Sequence, residues 1–188
     1  MLASAKAAHQ LRKASSLLFH SSRTFSTNQW PASMEDRYTI SPSREVPDQI
    51  ERPPYVGRIR QDHPPLHGPI HILTPEQISA LRKASNLAAR AVSQVIKETK
   101  IGTSLDEIDK IAHDYIVQDG SYPSAIGFMH YPKSLCTSVN DVVAHGVPNS
   151  YVLKAGDYVN VDIVCYKEGC HRDTSAMILL SDPDPSGV

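Results

Sequence analysis

This 188-residue chain contains no apolar run approaching the roughly 20 residues that a membrane-spanning helix requires. It has little net charge. Its 19 basic side chains stand against 20 acidic ones, leaving no whole-chain field to draw nucleic acid or an anionic membrane. Cysteine is scarce as well: Cys136, Cys165 and Cys170 are odd in number and form no C-x-x-C pair, which argues against a disulfide framework or a zinc knuckle. A glycine-rich phosphate loop, a G-x-S-x-G elbow and a His-Glu-x-x-His pair are missing too, and with them go most nucleotide-dependent and hydrolase readings. His171-Arg172-Asp173 invites comparison with a kinase catalytic loop, but that loop needs Asn five residues beyond the aspartate, where Ile178 stands.

Other shortages are local. The first 34 residues hold no Asp or Glu, while Lys6, Arg12, Lys13 and Arg23 stand among serines and alanines. That is the composition of an organelle-targeting presequence, assigned here to residues 1–27. Arg23-Thr24-Phe25-Ser26 resembles a matrix-protease cleavage signal, which favours the mitochondrial matrix over a plastid. Residues 28–70 follow as a proline-rich extension with Pro53-Pro54 and Pro64-Pro65 pairs. Proline removes backbone donors and favours extended chain, so this stretch is expected to wrap or link rather than to form a core.

What is present begins at Thr74. Thr74-Pro75-Glu76-Gln77 reads as a capping box with proline in the first helical turn. Ile78, Leu81, Ala84, Ala88, Val92 and Val95 then recur at helical spacing as one buried stripe. Ser104-Leu105-Asp106-Glu107 is a second capping box, followed by Ile108, Ile111, Ala112, Tyr115 and Ile116, with Gly120 as the stop. Beyond it, residues 135–139 and 142–145 read as short strands about an Asn140-Asp141 turn, and a longer hairpin surrounds Lys167. Two helices followed by antiparallel strands predict an α+β fold over 71–180, with 181–188 as an irregular tail.

The hairpin carries the most informative residues. Its first strand alternates Asn160, Asp162, Val164 and Tyr166 with Val159, Val161, Ile163 and Cys165, a polar face against an apolar one. With Lys167-Glu168 as a two-residue loop, Asp162 falls opposite Asp173. Cross-strand Cβ atoms then lie roughly 5 Å apart. Two carboxylates at that distance repel by about 3 kcal/mol at an effective dielectric of about 20, which a proton or a cation between them relieves. A divalent metal site is one reading; a solvated pair of surface acids is the other, and a glycine bulge at Gly169 would slip the pairing by one residue. His145, in Ala-His-Gly-Val-Pro, is either a hydrogen-bonded structural imidazole or a group at the rim of the carboxylate face able to bond a substrate amide. His171 alternates with Asp173 along one strand and is read as neither a ligand nor a ligand's support.

From about Glu51 the chain resembles a type I methionine aminopeptidase of the organellar kind. The resemblance rests on Tyr122-Pro123-Ser124, on the run from Tyr131-Pro132-Lys133-Ser134 to Asn140, and on Ala144-His145-Gly146-Val147-Pro148. It continues through Gly156-Asp157-Tyr158-Val159-Asn160-Val161-Asp162 and His171-Arg172-Asp173-Thr174-Ser175, and Glu51-Arg52-Pro53-Pro54-Tyr55-Val56-Gly57 resembles the segment that precedes the catalytic domain in organellar members. It implies the pita-bread fold around two divalent metal ions (cobalt, manganese, iron or zinc). Asp162 and Asp173 would be metal ligands, and His145 a substrate-contacting catalytic group. Phe128, Tyr131 and Cys136 would line the methionine side-chain pocket, where an aromatic wall with a soft thiol suits a thioether. The implied reaction is metal-assisted removal of the first methionine from nascent or imported polypeptides. Arg172 departs from the glycine expected before the second aspartate, and is read either as pairing with Asp173 or as pointing away.

The family's remaining ligands, one His and two Glu, have no counterpart in residues 174–188. The chain thus reads as the N-terminal half of such an enzyme, with little activity expected of it alone. The competing reading is a non-catalytic module binding protein N-termini or partners, since pita-bread proteins without metal ligands resemble ribosome-binding factors.

Overall fold

The computed structural model describes residues 37–57 and 72–181. The presequence, the Pro64-Pro65 pair and the tail beyond Ser181 lie outside the described residues.

Helix α1 runs Pro75–Glu98 and helix α2 Leu105–Gln118, and each starts where its capping box predicts. Thr74 accepts from the Gln77 amide while Gln77 returns a bond to the Thr74 amide; Ser104 and Glu107 repeat the arrangement. Each box satisfies two amides that a helix start leaves without partners. The buried stripe of α1 is Ala84, Leu87, Ala88, Ala91, Val92 and Val95, joined by Ala80, whereas Ile78 and Leu81 are only half-buried. In α2 the stripe includes two polar residues, Asp109 and His113.

The strands are β1 (Tyr122–Pro123), β2 (Cys136–Val139), β3 (Tyr158–Lys167) and β4 (Cys170–Leu179). All pair antiparallel, with β3 central: β4 lies along one edge, and β2 and β1 share the other. The helices cover the apolar side, where Val159, Val161, Ile163 and Cys165 meet Leu87, Val95, Ile108 and Ile116 in one core. The α+β reading and the two-faced strand both hold.

The hairpin register differs from the sequence expectation. Lys167 pairs with Cys170, and the loop is Glu168-Gly169, with φ of 49° and 75°. A type I′ turn needs positive φ at both central positions, and glycine supplies one of them at no steric cost. Asp162 therefore faces Ser175, and Asp173 faces Val164. The slip is two residues, not one, so both carboxylates keep the same face and sit diagonally.

Residues 142–145 are not a strand. After the Asn140 turn (φ 52°) the chain doubles back, so that the Thr137 amide donates to the Gly146 carbonyl at 2.9 Å. Val143 projects almost fully into solvent.

Residues 37–57, the described part of the extension, pack against the helices and strands and bury side chains. Val46 and Ile50 form a second small core with Tyr122 and Tyr166. Arg44 bonds Asp106 and Asp109, each at 2.9 Å, and the Tyr166 hydroxyl donates to Glu51 at 3.0 Å.

Candidate functional site

A cavity of ≈ 580 Å³ opens on the sheet face away from the helices. Asp162 and Val164 from β3 and His171 and Asp173 from β4 form its floor, while the 124–131 loop and Cys136 form a wall. All six residues singled out in the sequence (Phe128, Tyr131, Cys136, His145, Asp162, Asp173) line this one space.

The carboxyls of Asp162 and Asp173 lie within hydrogen-bonding reach of each other. Burial, then the Asp173 hydrogen bond, then its negative charge push Asp162 up to about 6, and His145 nearby works in the opposite direction. No ion pair among the described residues reaches either carboxylate. Arg172, the nearest candidate in sequence, projects to the helix side, where its Nε donates to the Ser85 hydroxyl at 2.9 Å. It points away from Asp173, as alternation along β4 dictates.

Strand pairing places Cys136 directly opposite Asp162. Burial pushes its thiol up; a hydrogen bond with Tyr131 opposes this, while the charges of Asp162 and Asp173 add to it. The Tyr131 hydroxyl donates to the carbonyls of Leu135 at 3.1 Å and Gly146 at 2.9 Å, pinning the ring against the wall.

His145 is exposed at the rim, with φ of 55°. Its placement depends on the next residue: a Cβ at Gly146 would come within 2.3 Å of the Thr137 carbonyl oxygen. Only glycine permits that approach, so Gly146 locks the turn presenting the imidazole.

The donor set fits part of a divalent cation's shell. Among the described residues no ion-paired cation meets the two carboxylates, and burial together with the neighbouring Asp173 raises Asp162, which leaves hard oxygens available to a cation. Among the described residues no cluster of three or more His, Cys, Asp or Glu forms.

Other lining residues were not anticipated. His171 joins the floor to the 124–131 loop: its Nδ1 bonds the Ser124 hydroxyl at 2.9 Å, and burial holds its imidazole below the usual range. Its alternation with Asp173 already placed it on this face. Tyr55, from the extension, also lines the cavity; it lies in the Glu51–Gly57 run that carries part of the resemblance, but nothing in that run pointed to the site.

The model of metallopeptidase family M24 matches residues 79–187. Methionine aminopeptidase 2 of Mycobacterium tuberculosis is 42% identical over 145 residues, covering 76% of this chain and 49% of that protein. Methionine aminopeptidase 1D, mitochondrial, of Danio rerio is 39% identical over 148 residues, 79% of this chain and 43% of that protein. The chain thus spans about half the length of these curated relatives. Among solved structures, methionine aminopeptidase from Rickettsia prowazekii superposes with a TM-score of 0.59 at 34% identity, over 60% of this chain and 46% of that one.

Proposed function

The chain belongs to metallopeptidase family M24, and on that premise we propose that it serves the removal of N-terminal methionine from polypeptides in the mitochondrial matrix. The observation that carries this reading is convergence: a carboxylate pair, a rim imidazole and a soft aromatic wall share one cavity.

Asp162 and Asp173 would hold divalent metal, with cobalt, manganese, iron and zinc all compatible with oxygen ligands. Held by these two carboxylates, an ion of that kind would supply Lewis-acid chemistry for the first peptide bond. The remaining roles belong to the protein. Phe128, Tyr131 and Cys136 accept the methionine side chain, whose polarisable sulfur packs well on ring edges and thiol. Tyr131 is fixed by two carbonyls and so offers a preformed surface rather than one ordered on binding. His145, exposed and held by the Gly146 turn, can hydrogen-bond the amide beside the first peptide bond. The matrix assignment is supported by the acid-free N-terminus and by mitochondrial relatives; other relatives carry chloroplastic names.

The test is peptide binding with and without manganese. Met-Ala-Ser should bind more tightly than Lys-Ala-Ser, manganese should strengthen the first, and Asp162→Asn or Asp173→Asn should abolish that strengthening. Equal binding of the two peptides would overturn the reading.

A further inference from the structure

Tyr55 reaches the cavity from a part of the chain that lies outside residues 79–187, the region the family model matches. It is held there from three directions. Its hydroxyl donates to the Ser124 carbonyl. Its ring meets the Phe128 ring edge-on, with centroids 5.3 Å apart and planes at 75°. Its face stacks on His171, with centroids 5.8 Å apart and planes at 24°.

These partners are themselves tied down. His171 bonds Ser124 at 2.9 Å and leans on the Tyr166 ring at 4.7 Å; Tyr166 in turn donates to Glu51, four residues before Tyr55. Upstream, the extension is clamped by Arg44 on Asp106 and Asp109, and by Lys133 on Ser41 at 2.6 Å. Lys133 sits two residues beyond Tyr131, so one ion network anchors both the arm that delivers Tyr55 and the loop that carries the opposing pocket residues.

Phe128 is 46% exposed even with Tyr55 in place. The loop around it is conformationally costly: Met129 and His130 both have positive φ, at 47° and 65°. A half-exposed ring beside such a turn has little of its own to define its position, and edge-to-face contact with a pinned tyrosine restrains it beyond what area burial alone would do.

We propose that Tyr55 is a specificity-determining residue: the N-terminal arm completes the wall of the cavity by backing Phe128, and so sets the width available to the substrate's first side chain. The assignment to a first side chain rests on the methionine aminopeptidase reading; the wall itself does not. Because the residue comes from the extension, members of the family that differ there would differ in pocket width while sharing the carboxylate floor.

The experiment uses the full chain in a Cys170→Ser background, with Tyr55 as wild type, Phe, Leu and Ala. Two readouts are taken. The first is the alkylation rate of Cys136 by iodoacetamide relative to N-phenylmaleimide, which reports wall width without metal or substrate. The ratio should stay within about twofold of wild type for Tyr55→Phe and fall at least about fivefold for Tyr55→Ala, with Tyr55→Leu between. The second is the preference for Met-Ala-Ser over Phe-Ala-Ser in binding, which should fall at least about tenfold in Tyr55→Ala.

Should Tyr55→Ala not fold, the gap between Phe and Leu decides. An alkylation ratio flat across the series overturns the wall, whatever the peptides do. A changed ratio with an unchanged peptide preference overturns the specificity role. If wild type prefers neither peptide, the methionine reading fails, and the alkylation series alone decides whether Tyr55 sets the cavity's width.

Discussion

Asp106 and Asp109 on α2, and Asp162 and Asp173 across the hairpin, are both close pairs of carboxylates, and the protein treats them in opposite ways. The helix pair is supplied with cations and donors. Asp106 accepts from the Lys133 ammonium at 2.6 Å and from Arg44 at 2.9 Å; Asp109 accepts from Arg44 at 2.9 Å and from the Ser134 amide at 2.6 Å. Burial would push Asp106 up, but Lys133, Ser41 and Arg44 together hold it below the ordinary carboxylate range. Asp109, fully buried, is pushed up by desolvation in spite of its partners. The hairpin pair receives no ion-paired cation among the described residues, and Asp162 rises to about 6. Compensated acids of the first kind hold the fold together. Uncompensated acids at the floor of a cavity cost stability unless something bound there offsets them, which is the physical ground for proposing a site at the hairpin pair.

Breaking the compensation should have the largest effect. Lys133→Ala removes an ammonium with no solvent exposure, leaving Ser41 and part of Asp106 without their donor. We expect a loss of about 3 kcal/mol in urea denaturation. The hairpin pair should answer with the other sign: at neutral pH, Asp162→Asn relieves repulsion in a half-exposed site and should stabilise the metal-free chain by about 1 kcal/mol.

The same contrast appears against pH. The folded chain holds the Asp162 proton more tightly than the unfolded chain does, so this group lowers stability as pH rises from about 4 to about 6, and the penalty is complete above that window. Asp106 behaves oppositely: its contribution is present above the ordinary carboxylate pKa and disappears as acid protonates the folded form. Asp162→Asn should flatten the stability profile between about pH 4 and 6 relative to wild type. A profile unchanged by the substitution would place the hairpin pair in the compensated class.

The smallest effect belongs to Arg172→Gly. Among the described residues its one side-chain hydrogen bond is an exposed one to Ser85 on the helix side, so stability should shift by about 0.5 kcal/mol and manganese affinity should not move. A clear gain in manganese affinity would mean that Arg172 visits Asp173 after all.

Much of this was legible locally. Thr74 and Ser104 announce their helices because capping is a short-range exchange of hydrogen bonds, and the alternation of β3 separates Asp162 from the core by geometry alone. The hairpin register was misread because a lysine-glutamate loop looks polar enough, whereas the backbone requires two residues at positive φ, which Glu168-Gly169 meets more cheaply. Residues 142–145 have strand-like side chains, but Gly146 folds back onto Thr137 and takes the hydrogen bonds a partner strand would have used. The arm was least legible. Arg44 meets Asp109 across 65 positions and Tyr55 meets Ser124 across 69, and no periodicity encodes contacts of that range. For the same reason nothing along the second helix marks Asp109 and His113 as the residues that Arg44 and the Glu45 carbonyl meet.

We propose that Asp162 and Asp173 act together to hold a divalent ion. Thermal melting of the full chain at neutral pH, with and without millimolar manganese, tests it most directly. Wild type should melt higher with the metal, and Asp162→Asn, Asp173→Asn and the double variant should each lose that gain to the same extent. A gain that survives in either single variant would mean that the two carboxylates do not hold the ion together.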